Sequence, residues 1–197
     1  MKLNESASIK GEYRLTLTLP ETAKQEYQAI LSFLKTHPVS RLKDEIERAS
    51  HASIYRGLLA DYYKRAKVEE MVFSNLIPTV GRSVLAQRLA NTTTYTGIVN
   101  YAALGSGTTA PNNSDTQLGT ESYRKTIDSQ TYTNNVAYLS VFIPAGTATA
   151  THYEAGLFID GAAGANTGQI FSRVLFSPPV AKTALVSLTL DISLTIS

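Results

Sequence analysis

Apolar and polar side chains alternate strictly at the start of the chain. Ile9, Gly11, Tyr13, Leu15, Leu17 and Leu19 fall on one face, and Lys10, Glu12, Arg14, Thr16 and Thr18 on the other. A period of two is the signature of a half-buried strand. Pro20 ends it, and Thr18-Leu19-Pro20-Glu21 has the spacing of a capping box with proline in the first helical turn, so a helix is predicted to follow. Ala23, Tyr27, Ile30, Leu31 and Leu34 then recur at helical spacing up to His37-Pro38, where the residue before proline is pushed out of the α region. Ser40 is placed to cap a second helix, whose stripe of Leu42, Ile46, Ala49, Leu58, Leu59, Tyr62 and Ala66 is broken near Ser50-His51. The pair reads as an antiparallel helical hairpin carried between two strands.

Val68 to Phe73 has strand composition and is placed to return antiparallel to the first strand. After a turn at Asn75 to Thr79, Thr79 is the predicted N-cap of a short helix reaching Leu89, with Val80, Val84, Leu85 and Leu89 as its apolar side. Helix signals vanish from Asn91 onward, and the remaining 107 residues carry 18 threonines. Strands are predicted at Tyr95 to Leu104, Glu121 to Asp128, Val136 to Ile143, Ala155 to Asp160, Ile170 to Phe176 and Ala184 to Ile196. The last has the clearest alternation, with Leu188, Leu190, Ile192 and Leu194 against Ser187, Thr189, Asp191 and Ser193, and Leu185 as the exception. So long and regular a strand belongs at the centre of a sheet or on an edge shared between subunits. Short strands between Gly, Asn and Pro turns predict an antiparallel β-sandwich, jelly-roll-like or Ig-like, formed by residues 1–19 and 68–197, with residues 20–67 as an inserted helical hairpin.

Charge sharpens this division. Residues 21–70 hold nine Lys/Arg and eight Asp/Glu, whereas residues 71–197 hold only six of each. The first composition is that of solvated helix; the second suits β-structure whose exposed faces are neutral or covered by partners. The net charge of +2 over 197 residues argues against nucleic acid as a partner. With no cysteine, disulfides, thiolate metal sites and Cys nucleophiles are excluded. The opening Met1-Lys2-Leu3-Asn4-Glu5 lacks the apolar core of a signal peptide, and no apolar run approaches the roughly 18 residues that span a bilayer. The chain is therefore expected to be made in the cytoplasm, soluble and not inserted in a membrane.

Candidate chemistry is sparse. Leu104-Gly105-Ser106-Gly107-Thr108-Thr109-Ala110-Pro111 is glycine-rich, but it lacks the Lys-Ser/Thr end of a phosphate loop and leads into Pro111-Asn112-Asn113 rather than a helix. It reads as a structural surface loop. His37, His51 and His152 are isolated, and only His152 with Glu154 forms a near pair, on alternate residues and so on one face of an extended segment; both read as loop or rim residues. Asp160-Gly161 is a hairpin-turn signal. Glu121 and Arg124 would lie on opposite faces of a regular strand, which argues against a pair between them and leaves Arg124-Lys125 as a candidate interface. Tyr13, Tyr123, Tyr138 and Tyr153 read as core or rim residues, whereas Tyr55, Leu59, Tyr62 and Tyr63 on the hairpin are candidate contact residues. No catalytic residue, metal site or cofactor site is expected, and the chain reads as a non-enzyme.

Several of these segments together resemble a family. Ile9-Lys10-Gly11-Glu12-Tyr13; Phe73-Ser74-Asn75-Leu76-Ile77 leading to Gly81-Arg82; Asn100 to Pro111 with Asp115-Thr116-Gln117-Leu118; Glu121 to Lys125; Glu154-Ala155-Gly156-Leu157-Phe158; and Phe171 to Phe176 with Pro178-Pro179 and Lys182 are similar to small virion structural proteins of tailed bacteriophages. The resemblance covers residues 9–19 and nearly all of 68–197, and residues 20–67 depart from it. It implies a sandwich that assembles into rings or fibres on the particle, with no enzymatic residues. The expectation is a homo-oligomeric virion protein of the tail, baseplate, neck or fibre apparatus that packs on its own copies and docks on other virion proteins through the hairpin. The alternatives are a receptor- or glycan-binding fibre module, reading a host surface through loops such as Gly105 to Asn113 or Gly161 to Gly168, and a capsid decoration protein.

Overall fold

The computed structural model describes residues 8–18, 69–92 and 94–197. The hairpin expected at 20–67, with Tyr55, Leu59, Tyr62 and Tyr63, lies outside the described residues. Among the described residues, nine strands and one helix follow in chain order: β1 (Ile9–Thr18), β2 (Glu69–Ser74), α1 (Thr79–Leu89), β3 (Val99–Gly105), β4 (Glu121–Thr126), β5 (Ser129–Thr133), β6 (Val136–Ile143), β7 (Ala150–Ile159), β8 (Gln169–Lys182) and β9 (Ser187–Ile196). They form two sheets, β2-β1-β9-β6-β5 and β4-β3-β7-β8. Every pairing is antiparallel. This is the β-sandwich expected from the alternation.

The five-stranded sheet follows the pattern of its sequence. Tyr13, Leu15 and Leu17 of β1 point inward and lie opposite Ile192, Leu190 and Leu188 of β9, which is the central strand. Leu139, Val141 and Ile143 of β6 complete the inner face. Across the sandwich this layer meets Leu104, Ala155, Leu157, Ile159, Val174 and Phe176. Glu12, Arg14, Asp191, Ser193, Tyr138 and Ser140 alternate with these core residues and take the outward face.

The four-stranded sheet is buried on both sides. Ala103, Leu118, Phe158 and Ile170 make a second apolar cluster on its outer face, with Val80 and Tyr101 packed against it. That cover comes from α1 and the β3–β4 loop. A side chain at Gly81 would run into the backbone of Ile170 and Phe171, and one at Gly156 would meet Leu118, so both glycines permit close layering.

Several expectations change at element ends. Pro78, not Thr79, occupies the N-cap of α1, and the first helical N–H, that of Thr79, donates to the Asn113 carbonyl at 2.9 Å. Leu89 is 92% exposed rather than part of the apolar side of α1, where Gly81 and Val84 are the buried positions. β3 starts at Val99 because Asp160 holds the Thr96 N–H and hydroxyl in the preceding turn and Gly97 takes φ +80°. β7 and β8 exceed their predicted bounds, and β8 runs through Pro178-Pro179. An edge strand tolerates prolines because one side of its ladder needs no donors. β5 is an additional strand with no signature in the sequence: Ser129-Gln130-Thr131-Tyr132-Thr133 has no apolar alternation, and all five residues are exposed.

Candidate functional site

The charged residues scattered through the sandwich converge on its loops. Glu154 of β7 is fully buried, and its carboxylate is saturated. Oε1 accepts from the Gly107 and Thr120 N–H groups at 3.0 and 2.8 Å, and Oε2 accepts from the Gly119 N–H at 3.0 Å and from Arg173 Nε at 2.9 Å. Arg173, opposite Gly156 on β8, is equally engaged. Nη1 donates to Asp115 at 2.7 Å and Nη2 to the Thr109 carbonyl at 2.9 Å. Burial disfavours the charged guanidinium, but bonds to Asp115 and Glu154 and their charges more than offset this and raise its pKa above the ordinary arginine value.

The glycine-rich segment expected as a free surface loop is thus a backbone anion cradle filled by the protein's own carboxylate. The same three N–H groups and arginine would suit a phosphate; Glu154 holds them instead. A carboxylate with every lone pair engaged has no capacity to take a proton from a substrate or to ligate a metal.

Two further cations repeat the device. Arg124 of β4 pairs with Glu121, with Nε to Oε1 at 2.5 Å and Nη2 to Oε2 at 2.8 Å. This overturns the expectation that the two face apart. Leu104 and Gly105 are consecutive on β3, yet their partners Tyr123 and Glu121 skip Ser122, and that bulge returns Glu121 to the face of Arg124. Arg124 Nη1 reaches the Ala162 and Thr167 carbonyls of the β7–β8 loop at 2.9 and 3.0 Å, and its guanidinium lies 4.6 Å from the Phe158 ring centre. Its side chain is only 4% exposed, so this half of the proposed Arg124-Lys125 interface is turned inward. Lys125 holds Asp128 at the β4–β5 turn. Lys182, 1% exposed, donates to the carbonyls of Pro144, Thr147 and Val186 at 2.9, 2.6 and 3.0 Å and ties together the turns before β7 and β9. Burial lowers its pKa.

His152 and Glu154 are neither rim residues nor a pair. The β7–β8 register breaks between them, from Val180 to Leu175, and sends the two side chains into separate surroundings. His152 is 1% exposed, its Nε2 lies 2.8 Å from the Ala148 carbonyl, and its Nδ1 has no partner. Burial lowers its pKa, the Ala148 bond partly opposes this, and Lys182 adds a further depression. Among the described residues, no group of three or more His, Asp or Glu could hold a metal ion, and no helix is long and apolar enough to cross a membrane.

Of the tyrosines, Tyr13 is core, and its hydroxyl donates to Ser172 at 3.0 Å; burial pushes its phenol up, with Ser172 partly opposing. Tyr138 is 43% exposed. It lines a groove of about 420 Å³ that crosses β1, β9, β6 and β5 on the outward face, with Arg14, Asp191, Ser193 and Thr131. Residue types alone do not reveal this groove, because it depends on strand order. No protein-family model, curated protein or solved structure matches the chain.

Proposed function

We propose that the chain is an assembly module, a homo-oligomeric structural protein of a tailed-phage virion in the tail, baseplate or neck and fibre apparatus. The observation that carries this reading is the division of its polar groups. Glu154, Arg173, Arg124, Glu121 and Lys182 are buried and hold loops to the sandwich. Tyr132, Tyr138 and Phe142 are meanwhile exposed among neutral Ser and Thr residues around β5 and β6. Loops held by buried ion pairs, together with exposed aromatics along strands β5 and β6 that themselves carry no charge, favour protein contact over turnover. The resemblance to small phage virion proteins supplies the particle, and residues 20–67 supply the docking segment.

The test is association. Sedimentation of the full chain across a wide concentration range should show reversible oligomers, and labelled chain should incorporate into particles assembled without it. A chain that remains monomeric and binds no virion component overturns the reading. Deleting residues 21–67 should abolish docking while leaving the circular-dichroism signature of the sandwich.

A second reading rests on the outward groove. Tyr138 beside Arg14, Asp191 and the hydroxyls of Ser140 and Ser193 combines a stacking ring with hydrogen-bonding groups, as a glycan requires. Binding on a glycan array that disappears with Tyr138→Ala would favour a receptor-binding module.

A further inference from the structure

Of the four edge strands among the described residues, three are obstructed. On one flank, β2 begins with Glu69-Glu70 and the chain after it crosses to the other sheet, where Leu76 exchanges backbone bonds with Arg173 of β8 at 2.8 and 2.9 Å. β8 is further covered by α1 at Gly81 and carries Pro178-Pro179, which have no N–H to offer a neighbouring strand. On the other flank, β4 is bulged at Ser122 and carries Glu121, Arg124 and Lys125. Prolines, charges, bulges and covering segments are the means by which proteins prevent edge-to-edge pairing. Among the described residues β5 has none of them: Ser129-Gln130-Thr131-Tyr132-Thr133 carries no charge, proline or glycine, and its five residues pair one to one with β6 from Ser140 to Val136.

We infer that the free edge of β5 is a self-association site, at which a second copy of this chain adds its own β5 antiparallel across a two-fold axis at Thr131. This deepens the assembly reading and rests on it. A two-fold axis normal to the sheet keeps both outward faces on one side and opposes Thr131 to Thr131, Gln130 to Tyr132 and Ser129 to Thr133 of the second copy. No like charges meet: Asp128, the nearest charge, falls opposite Asn134. Hydroxyl pairs across antiparallel strands are favourable, and Tyr132, 78% exposed, gains a neighbour. On the outward face Ser193, Tyr138 and Thr131 already lie side by side on β9, β6 and β5, so that row continues unbroken into the second copy. A five-residue seam falls short of the roughly 1,200 Å² of a stable standalone interface, so the isolated pair is expected to be weak and concentration-dependent.

The chain contains no cysteine, which makes the test clean. Full-length Thr131→Cys under mild oxidation should give a disulfide-linked dimer at least tenfold faster than Val72→Cys, a half-exposed position on the β2 edge. Thr131→Lys and Thr131→Glu should each weaken sedimentation-detected self-association at least tenfold, and mixing the two should restore it as a heterodimer. Both substitutions are at an exposed position, and unchanged melting temperatures would show that the fold is retained. If the wild-type chain oligomerises but Thr131→Lys leaves association unchanged, the β5 site is overturned while the assembly reading stands. Equal cross-linking of the two cysteine variants also overturns it. A chain monomeric throughout overturns both, including the case in which Thr131→Lys blocks binding to a different virion protein.

Discussion

The two sheets use their polar residues in opposite ways. The four-stranded sheet is apolar on both faces and places Glu154, Arg173, Arg124 and Lys182 inside, each bonded to loop backbone. The five-stranded sheet keeps its charges outside, where Arg14 meets Glu70 at 2.7 Å with both side chains about half exposed. An ion in the first setting has been removed from water, and its partners must replace every lost hydrogen bond; an ion in the second keeps its hydration. The four-stranded sheet therefore acts as the frame that fixes the loops, and the five-stranded sheet as the one that leaves its charged side chains in water.

The largest expected effect lies inside the frame. Glu154→Gln keeps the shape but turns an amide donor either toward the Gly107 and Thr120 N–H groups or toward the Gly119 N–H and Arg173, and removes the charge facing a guanidinium that is 2% exposed. Breaking such a buried pair costs about 3–5 kcal/mol. Chemical denaturation should show that loss, and hydrogen exchange should show it concentrated at Gly107, Gly119 and Thr120. A loss below about 1 kcal/mol would mean that Glu154 is no more than a surface-type ion and would erase the contrast between the sheets.

The same contrast explains which parts of the fold were readable. β1, β6 and β9 each bury one face, so alternation marks them; the length and regularity of β9 allow either a central strand or an edge shared between subunits, and it is central. β7 and β8 have apolar neighbours on both sides, which removes alternation and leaves the ends undefined; the prolines inside β8 compounded this. β5 has no buried face, so only pairing with β6 defines it. The meeting of Glu154 with Arg173 and the 106–120 backbone is hidden for a related reason. Glu154 and Arg173 are single charges within otherwise apolar runs, a signal that something must satisfy them, but their meeting depends on the β7–β8 register and on the return of the 106–120 segment. The pair Glu121–Arg124 is not legible from spacing because a one-residue bulge reverses the face parity of a regular strand.

A smaller effect should appear with pH at the other end of the four-stranded sheet. His152 has its pKa lowered in the folded state, so below the ordinary value of 6.5 the unfolded chain binds a proton that the folded chain refuses. The stability it contributes is therefore complete above about pH 6.5 and is lost as pH falls from there toward the depressed folded value. The melting temperature should drop between pH 7.5 and pH 5.5, and His152→Gln, which can still donate to Ala148, should flatten that part of the profile. An unchanged slope in the variant would assign the acid sensitivity to other groups.

The smallest effect is expected on the outward face. Arg14→Ala removes a 2.7 Å bond to Glu70 and a 3.6 Å approach to Glu12, yet all three side chains stand about half exposed. Water replaces the lost partner at once, so the loss should be within about 1 kcal/mol and should shrink further in high salt. Glu154→Gln, in contrast, should be almost insensitive to salt, since no mobile ion reaches its site. The salt dependence separates the two sheets more sharply than the magnitudes do, because magnitudes vary with local packing while screening acts only where solvent enters. If Arg14→Ala proved as costly as Glu154→Gln and equally insensitive to salt, the outward face would have to be covered in the isolated chain, and the surface assigned to partner contact would already be occupied.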